Sequence, residues 1–149
     1  MHRDLNPARC ASEYASNNGV RSAVSNLPSN ALTSQIASAT RQIKEYLAGH
    51  RRTFDLKIDW SALGSDFQRV ALRAVFAIPY GKTRTYAEVA AKIGHTGAFR
   101  AVGRANATNP MPLVIPCHRV IGTDGKLHGY GGKGGLKTKK WLLKLEGAK

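Results

Sequence analysis

The chain has 149 residues and carries 23 Lys and Arg against 9 Asp and Glu, a formal charge of +14. With 42% hydrophobic residues it can bury the core of one domain, with room for a small appendage, and is not disordered overall. No stretch is apolar for long enough to span a membrane, and Met1-His2-Arg3-Asp4 does not begin a secretory signal. So positive a field favours a polyanionic partner. Nucleic acid ranks above an anionic membrane, because the basic residues do not lie along one amphipathic helix with aromatic anchors.

Residues 1–33 are weakly patterned, and Asn17-Asn18-Gly19 and Asn26-Leu27-Pro28-Ser29-Asn30 are loop signals. This segment is expected to be loop. From Ser34 to Ala48, Ile36, Ile43 and Leu47 fall on one helical face beside Ala39 and Tyr46, and Gly49 is a suitable stop. Phe54, Leu56 and Ile58 alternate with Asp55, Lys57 and Asp59, which predicts a half-buried strand.

Ser65-Asp66-Phe67-Gln68 has the form of a capping box and opens a helix through Val70, Ala71, Ala74 and Val75. Pro79-Tyr80-Gly81-Lys82 turns the chain. Thr85-Tyr86-Ala87-Glu88 is a second capping box, with a short helix to Gly94. A third helix carries Phe99, Val102, Gly103 and Ala105. Two short helices joined by a glycine-containing turn suggest a helix-turn-helix. In the third helix the small residues Ala98, Ala101, Gly103, Ala105 and Ala107 permit close approach to a groove, and Arg100 and Arg104 make one face basic. Gly122-Thr123-Asp124-Gly125 reads as a hairpin turn, which with the helices would make a winged-helix-like unit. Tyr130 heads a glycine-rich loop that lacks the frame of a P-loop. A last helix buries Trp141, Leu142 and Leu145, with Glu146 one turn beyond Leu142.

Two cysteines, Cys10 and Cys117, supply neither a disulfide framework nor a four-ligand zinc site, and no metal is expected. Cys117 lies within Asn109 to Ile121, N-P-M-P-L-V-I-P-C-H-R-V-I. The apolar run Leu113-Val114-Ile115 is bounded by prolines and reads as a buried strand-like segment, a rigid frame for a thiol at its end. A free thiol titrates near ~8.5, so a reactive one needs a group that favours the thiolate. His118 could serve, oriented by an acid from elsewhere. The same pair also suits a buried structural cysteine.

These thirteen residues resemble the active-site segment of the O6-alkylguanine-DNA alkyltransferases, the methylated-DNA–protein-cysteine methyltransferases. The shared pattern is Asn109-Pro110 followed by Pro116-Cys117-His118-Arg119-Val120. Phe67-Gln68, Ile78-Pro79-Tyr80-Gly81, Thr85-Tyr86, Arg100-Ala101-Val102-Gly103, Gly129-Tyr130, Leu142-Leu143 and Glu146 look like further family positions. The resemblance covers Gln42 to Glu146. It implies an α/β (α+β) fold with a C-terminal winged-helix-like domain over 61–149 for DNA binding and alkyl acceptance. Residues 34–60 would be the remnant of an N-terminal α/β domain, and 1–33 are a poorly patterned N-terminal segment. The implied reaction is stoichiometric transfer of an alkyl group from O6-alkylguanine in duplex DNA to Cys117, with O4-alkylthymine as a second candidate lesion and no cofactor.

The resemblance also distributes roles. Cys117 would be the acceptor, with His118 (through a water) and Glu146 as the relay that takes its proton. Tyr86 would crowd the 3′ phosphate and protonate the departing base. Arg100 would replace the flipped base in the stack, while Arg104, Ala101 and Gly103 face DNA. Asn109 would brace the turn, and Pro116, Arg119, Val114 and Tyr130 would shape the pocket. A monomer in a reducing compartment is expected, cytoplasmic in a prokaryote or nuclear in a eukaryote. Two other readings stay open: a non-catalytic lesion-binding protein, and a winged-helix regulator whose cysteine is only structural or redox-sensing.

Overall fold

A computed structural model describes residues 29–132 and 134–148. The first 28 residues, with Cys10 and most of the expected N-terminal loop, lie outside the described residues, as does Lys133. The chain divides into two units, one through Ile58 and one from Asp59.

In the first unit α1 spans Ser29–Leu47. It begins five residues before the expected Ser34, so 29–33 are helix rather than loop. Its buried positions also differ from the predicted stripe. Ile36 is exposed, whereas Gln42 and Tyr46 are buried, and Tyr46 packs on Phe54 with ring centroids 5.1 Å apart. Gly49 ends the helix as predicted, at φ 80. The alternating segment at Phe54–Ile58 is not a strand. Phe54, Leu56 and Ile58 are indeed less exposed than the acidic and basic residues between them. The backbone of Asp55, however, pairs with a side chain: Asp55 N–H donates to Gln42 Oε1 at 2.8 Å, and Gln42 Nε2 donates to Asp55 O at 3.1 Å. One buried amide thus takes the two bonds a neighbouring strand would have supplied.

The second unit begins with a 3-10 turn at Trp60–Ala62, followed by α2, Asp66–Phe76. Ser65 caps α2 by accepting from Gln68 N–H, but the box is half made. Gln68 turns its amide away and donates to Thr108 O and Oγ1 at 3.3 and 2.9 Å, tying α2 to the segment just before Asn109. α3 is Tyr86–Lys92 and α4 is Phe99–Ala107. The capping box at Thr85 is complete, with Glu88 N–H donating to Thr85 Oγ1 and Thr85 N–H to Glu88 Oε2. Gly94 stops α3 at φ 77, and His95 N–H reaches back to Ala90 O at 3.0 Å, the left-handed exit that lets α4 cross α3. Val89, Ala90, Val102 and Ala105 close this pair onto Ala71, Leu72 and Val75 of α2.

The sheet is a short parallel pair, β1 (Arg84–Thr85) and β2 (Val120–Ile121), in register Arg84↔Val120 and Thr85↔Ile121. The predicted turn after β2 forms, with Gly125 N–H donating to Gly122 O and Gly122 N–H to Lys126 O. Among the described residues no strand returns from it, so the wing is a turn and a loop rather than a hairpin. α5, Gly135–Leu145, closes the unit with Leu142 and Leu143 in the core.

Candidate active site

The segment that carries Cys117 is not strand-like. Pro110, Pro112 and Pro116 have no N–H to give a ladder, so local turns take over. Leu113 stands at φ 75, a left-handed conformation that a branched side chain rarely adopts. Ile115 N–H donates to Met111 O at 2.8 Å, and Cys117 N–H to Ile115 O at 2.8 Å across Pro116 at φ −81, ψ 65, an inverse γ-turn. Asn109 holds this path from inside. Its Nδ2 donates to Ile115 O at 2.8 Å, its Oδ1 accepts from Met111 N–H at 3.0 Å, and its side chain also hydrogen-bonds the Cys117 sulfur. Cys117 then opens a 3-10 turn, Cys117–Arg119, which leads straight into β2.

Behind the thiol lies a fully buried polar network. Glu146 Oε1 accepts from His118 Nε2 at 2.9 Å and from Arg119 Nη2 at 2.8 Å. Arg119 Nε reaches Glu146 Oε2 at 2.9 Å, and Gly81 N–H reaches the same oxygen at 3.0 Å. Arg119 also donates to Ile78 O at the end of α2. Four N–H donors converge on this carboxylate, two of them from the Arg119 guanidinium; they suit its charged form, so His118 Nε2 must be the protonated nitrogen. Burial holds the His118 pKa below its ordinary value, against the opposing pull of Glu146. The neutral ring therefore carries its acceptor lone pair on Nδ1, the arrangement a general base needs.

Burial pushes the Cys117 thiol up, while its hydrogen bond to Asn109, the charge of Lys139 and the N–H groups of Cys117 and His118 pull the other way. Lys139 is fully buried. Its Nζ donates to Val120 O at 2.6 Å and His128 O at 2.9 Å and lies 5.7 Å from the Tyr86 ring centroid. Burial lowers its pKa to about 8, against the pull of the Cys117 charge. Tyr86 is the first residue of α3, and its hydroxyl donates to His128 O at 3.2 Å. Burial, with the nearby Cys117 charge, holds its pKa above the ordinary phenol value. The β1–β2 pair sets Tyr86, just after Thr85, beside the turn that carries Cys117.

Cys117 opens into a cavity of roughly 800 Å³, within the usual range of small-molecule sites. Tyr86, Gly103, Asn106, Tyr130 and Gly131 are among its lining residues. A side chain at Gly131 would meet Ala107 O at 2.9 Å, so glycine lets the loop lie against the end of α4. Of the predicted residues, Cys117, Tyr86, Gly103 and Tyr130 share this cavity, with Asn109 bracing the thiol and His118, Glu146 and Arg119 behind it. Arg100, Ala101 and Arg104 lie exposed along α4, and the Arg100 guanidinium sits 5.6 Å from the Phe99 ring centroid. Val114 and Pro116 do not line the cavity; Pro116 shapes the turn instead. Lys139 and Asn106 were not singled out from sequence. Lys139 had a signal: it lies three residues before Leu142 and seven before Glu146, on the buried face of α5.

A buried thiol followed by a histidine–carboxylate pair thus opens beside a basic helix-turn-helix. The family model described as 6-O-methylguanine DNA methyltransferase, DNA binding domain, matches residues 66–148, and the chain belongs to that family. The methylated-DNA–protein-cysteine methyltransferase of Methanosarcina barkeri is 53% identical over 108 residues, 72% of this chain and 66% of that protein. Its namesake from Mycolicibacterium paratuberculosis is 54% identical over 110 residues, 74% of this chain and 64% of that protein. The crystal structure of Mycobacterium tuberculosis OGT in complex with DNA superposes with a TM-score of 0.70 at 49% identity, covering 74% of this chain and 66% of that one. The matched region thus spans just under two thirds of these relatives.

Proposed function

We propose that the protein repairs DNA by moving the alkyl group of an O6-alkylguanine, flipped out of a duplex, onto its own Cys117. The observation that carries this reading is the buried His118–Glu146 pair directly after Cys117, whose thiol lies at a cavity bordered by α4. In the step, Cys117 Sγ attacks the alkyl carbon. The S–C bond forms and the C–O6 bond breaks, and the electron pair leaves on the guanine O6/N1 system. The thiol proton passes through a water to His118 Nδ1, and the resulting imidazolium is held by Glu146. Tyr86 turns its hydroxyl from His128 O to the base and returns a proton to the leaving guanine. Lys139 places a positive charge where the thiolate and the phenolate develop.

Arg100, exposed at the start of α4, fills the gap in the base stack, and Arg104 contacts phosphate. The thioether is stable and Cys117 is the only cysteine among the described residues, so one protein removes one lesion. O4-alkylthymine is a second candidate substrate on the same chemistry.

The test is the intact mass after incubation with a duplex containing one O6-methylguanine. A gain of one methylene (~14 Da), absent in Cys117→Ala, is expected from direct transfer. Tight lesion binding with no gain would leave a damage sensor, and no preference for the lesion would leave a DNA-binding regulator.

A further inference from the structure

Asn106 is the anomaly of the cavity wall. It is 8% exposed, and both its Oδ1 and Nδ2 are buried without a hydrogen-bond partner in the protein. It lies on α4 one turn after Gly103, and both line the cavity that holds Cys117. An amide can donate twice and accept through its oxygen, and buried amides are nearly always satisfied. Leu or Met at this helical position would fill the same space with no polar atom to desolvate. Elsewhere the molecule does satisfy such groups: the buried amide of Gln42 makes bonds at both its ends.

We propose that the Asn106 amide is completed by the occupant of the cavity, as a specificity-determining contact to a polar edge of the nucleobase presented to Cys117. This rests on the alkyl-transfer reading and adds a recognition residue to it. A purine carries ring acceptors and exocyclic donors around its rim, so one amide can meet either kind of group. A cavity occupant without such an edge would leave both amide atoms buried and unmatched, which penalises it. The amide thereby separates recognition of the base from reactivity of the thiol.

The experiment compares Asn106→Leu and Asn106→Ala with the unchanged protein on two reagents, free O6-benzylguanine and iodoacetamide. The first presents a purine edge; the second alkylates the thiol with no base attached. Both variants are expected to melt no lower than the parent. Both should lose about tenfold or more of the rate with O6-benzylguanine, the scale of one hydrogen bond. Both should keep the iodoacetamide rate within twofold. Rates with O6-benzylguanine unchanged in both variants would overturn the assignment, leaving an amide that only holds solvent. A loss confined to the Leu variant would mean crowding and would overturn it as well. A parent protein inert to O6-benzylguanine but active in the duplex mass assay would remove free-base recognition while sparing alkyl transfer. Inertness in both would sink the alkyl-transfer reading itself.

Discussion

Replacing Glu146 by Gln tests the relay and the architecture together. The carboxylate accepts from His118 Nε2, Arg119 Nε and Nη2, and Gly81 N–H, and its side chain is fully buried. Glutamine keeps one acceptor and turns an NH₂ toward donors that cannot receive it. It also leaves the Arg119 guanidinium buried without its counter-charge. Breaking a buried pair from one side costs about 3–5 kcal/mol. Set against a typical total of ~5–15 kcal/mol, that is a large share, and it corresponds to a fall of roughly 6–20 °C in melting temperature. The chemical step loses the difference between a charged and a neutral acceptor for the imidazolium. At about 1.5–3 kcal/mol, this predicts a roughly 10- to 150-fold slower methyl transfer. The assay is single-turnover transfer from an O6-methylguanine duplex at low temperature, read by intact mass, beside a urea titration of the same sample. A variant that is folded, within about 1 kcal/mol of the parent by linear extrapolation, and within twofold in rate would refute the role given to Glu146.

Three further outcomes follow from the site. Arg100→Ala should weaken repair of a duplex lesion far more than reaction with free O6-benzylguanine, because only the duplex requires a nucleotide to leave the stack; equal losses on both would remove Arg100 from flipping. Lys139→Met should lower both stability and transfer rate, since it strands the Val120 carbonyl at about 1–3 kcal/mol and removes a charge facing the thiolate; an unchanged urea midpoint would contradict it. The His118 pKa is depressed in the folded protein, so as pH falls the unfolded chain takes up that proton first, near ~6.5. Stability contributed by neutral His118 is therefore present above that pH and declines below it, while the ring stays neutral and the acidic limb of the transfer rate lies below ~6.5. A rate that halves at or above pH 6.5 would be inconsistent with the buried, neutral ring.

What could be read from the residues depended on whether short-range chemistry decided the outcome. Thr85 and Glu88, three apart, form their box with no help from elsewhere, and Gly94 ends α3 where only a left-handed residue would. Cys117 and His118 suggested a thiol and a base but left the acid open; Glu146 entered through the family resemblance, and the fold sets it 2.9 Å from His118. Period-two alternation at Phe54–Ile58 was legible as burial but not as pairing, because Gln42, twelve residues earlier than Phe54, supplies the bonds. The run Leu113-Val114-Ile115 looked like strand by hydrophobicity, yet three prolines and the Asn109 amide impose turns. Lys139 stands among the lysines of α5, and only the docked helix turns it inward. Asn106 had no signal at all, since an unmet amide exists only in three dimensions.

The order in which a chain is made gives the Glu146 hub one more consequence. His118 leaves the ribosome 28 residues ahead of the carboxylate that orients it. Until α5 is synthesised and docks, Cys117 has neither an oriented base nor the Lys139 charge beside it. The nascent polypeptide therefore carries an ordinary, exposed thiol with no dedicated base. The proposed proton relay exists only once the last helix has docked.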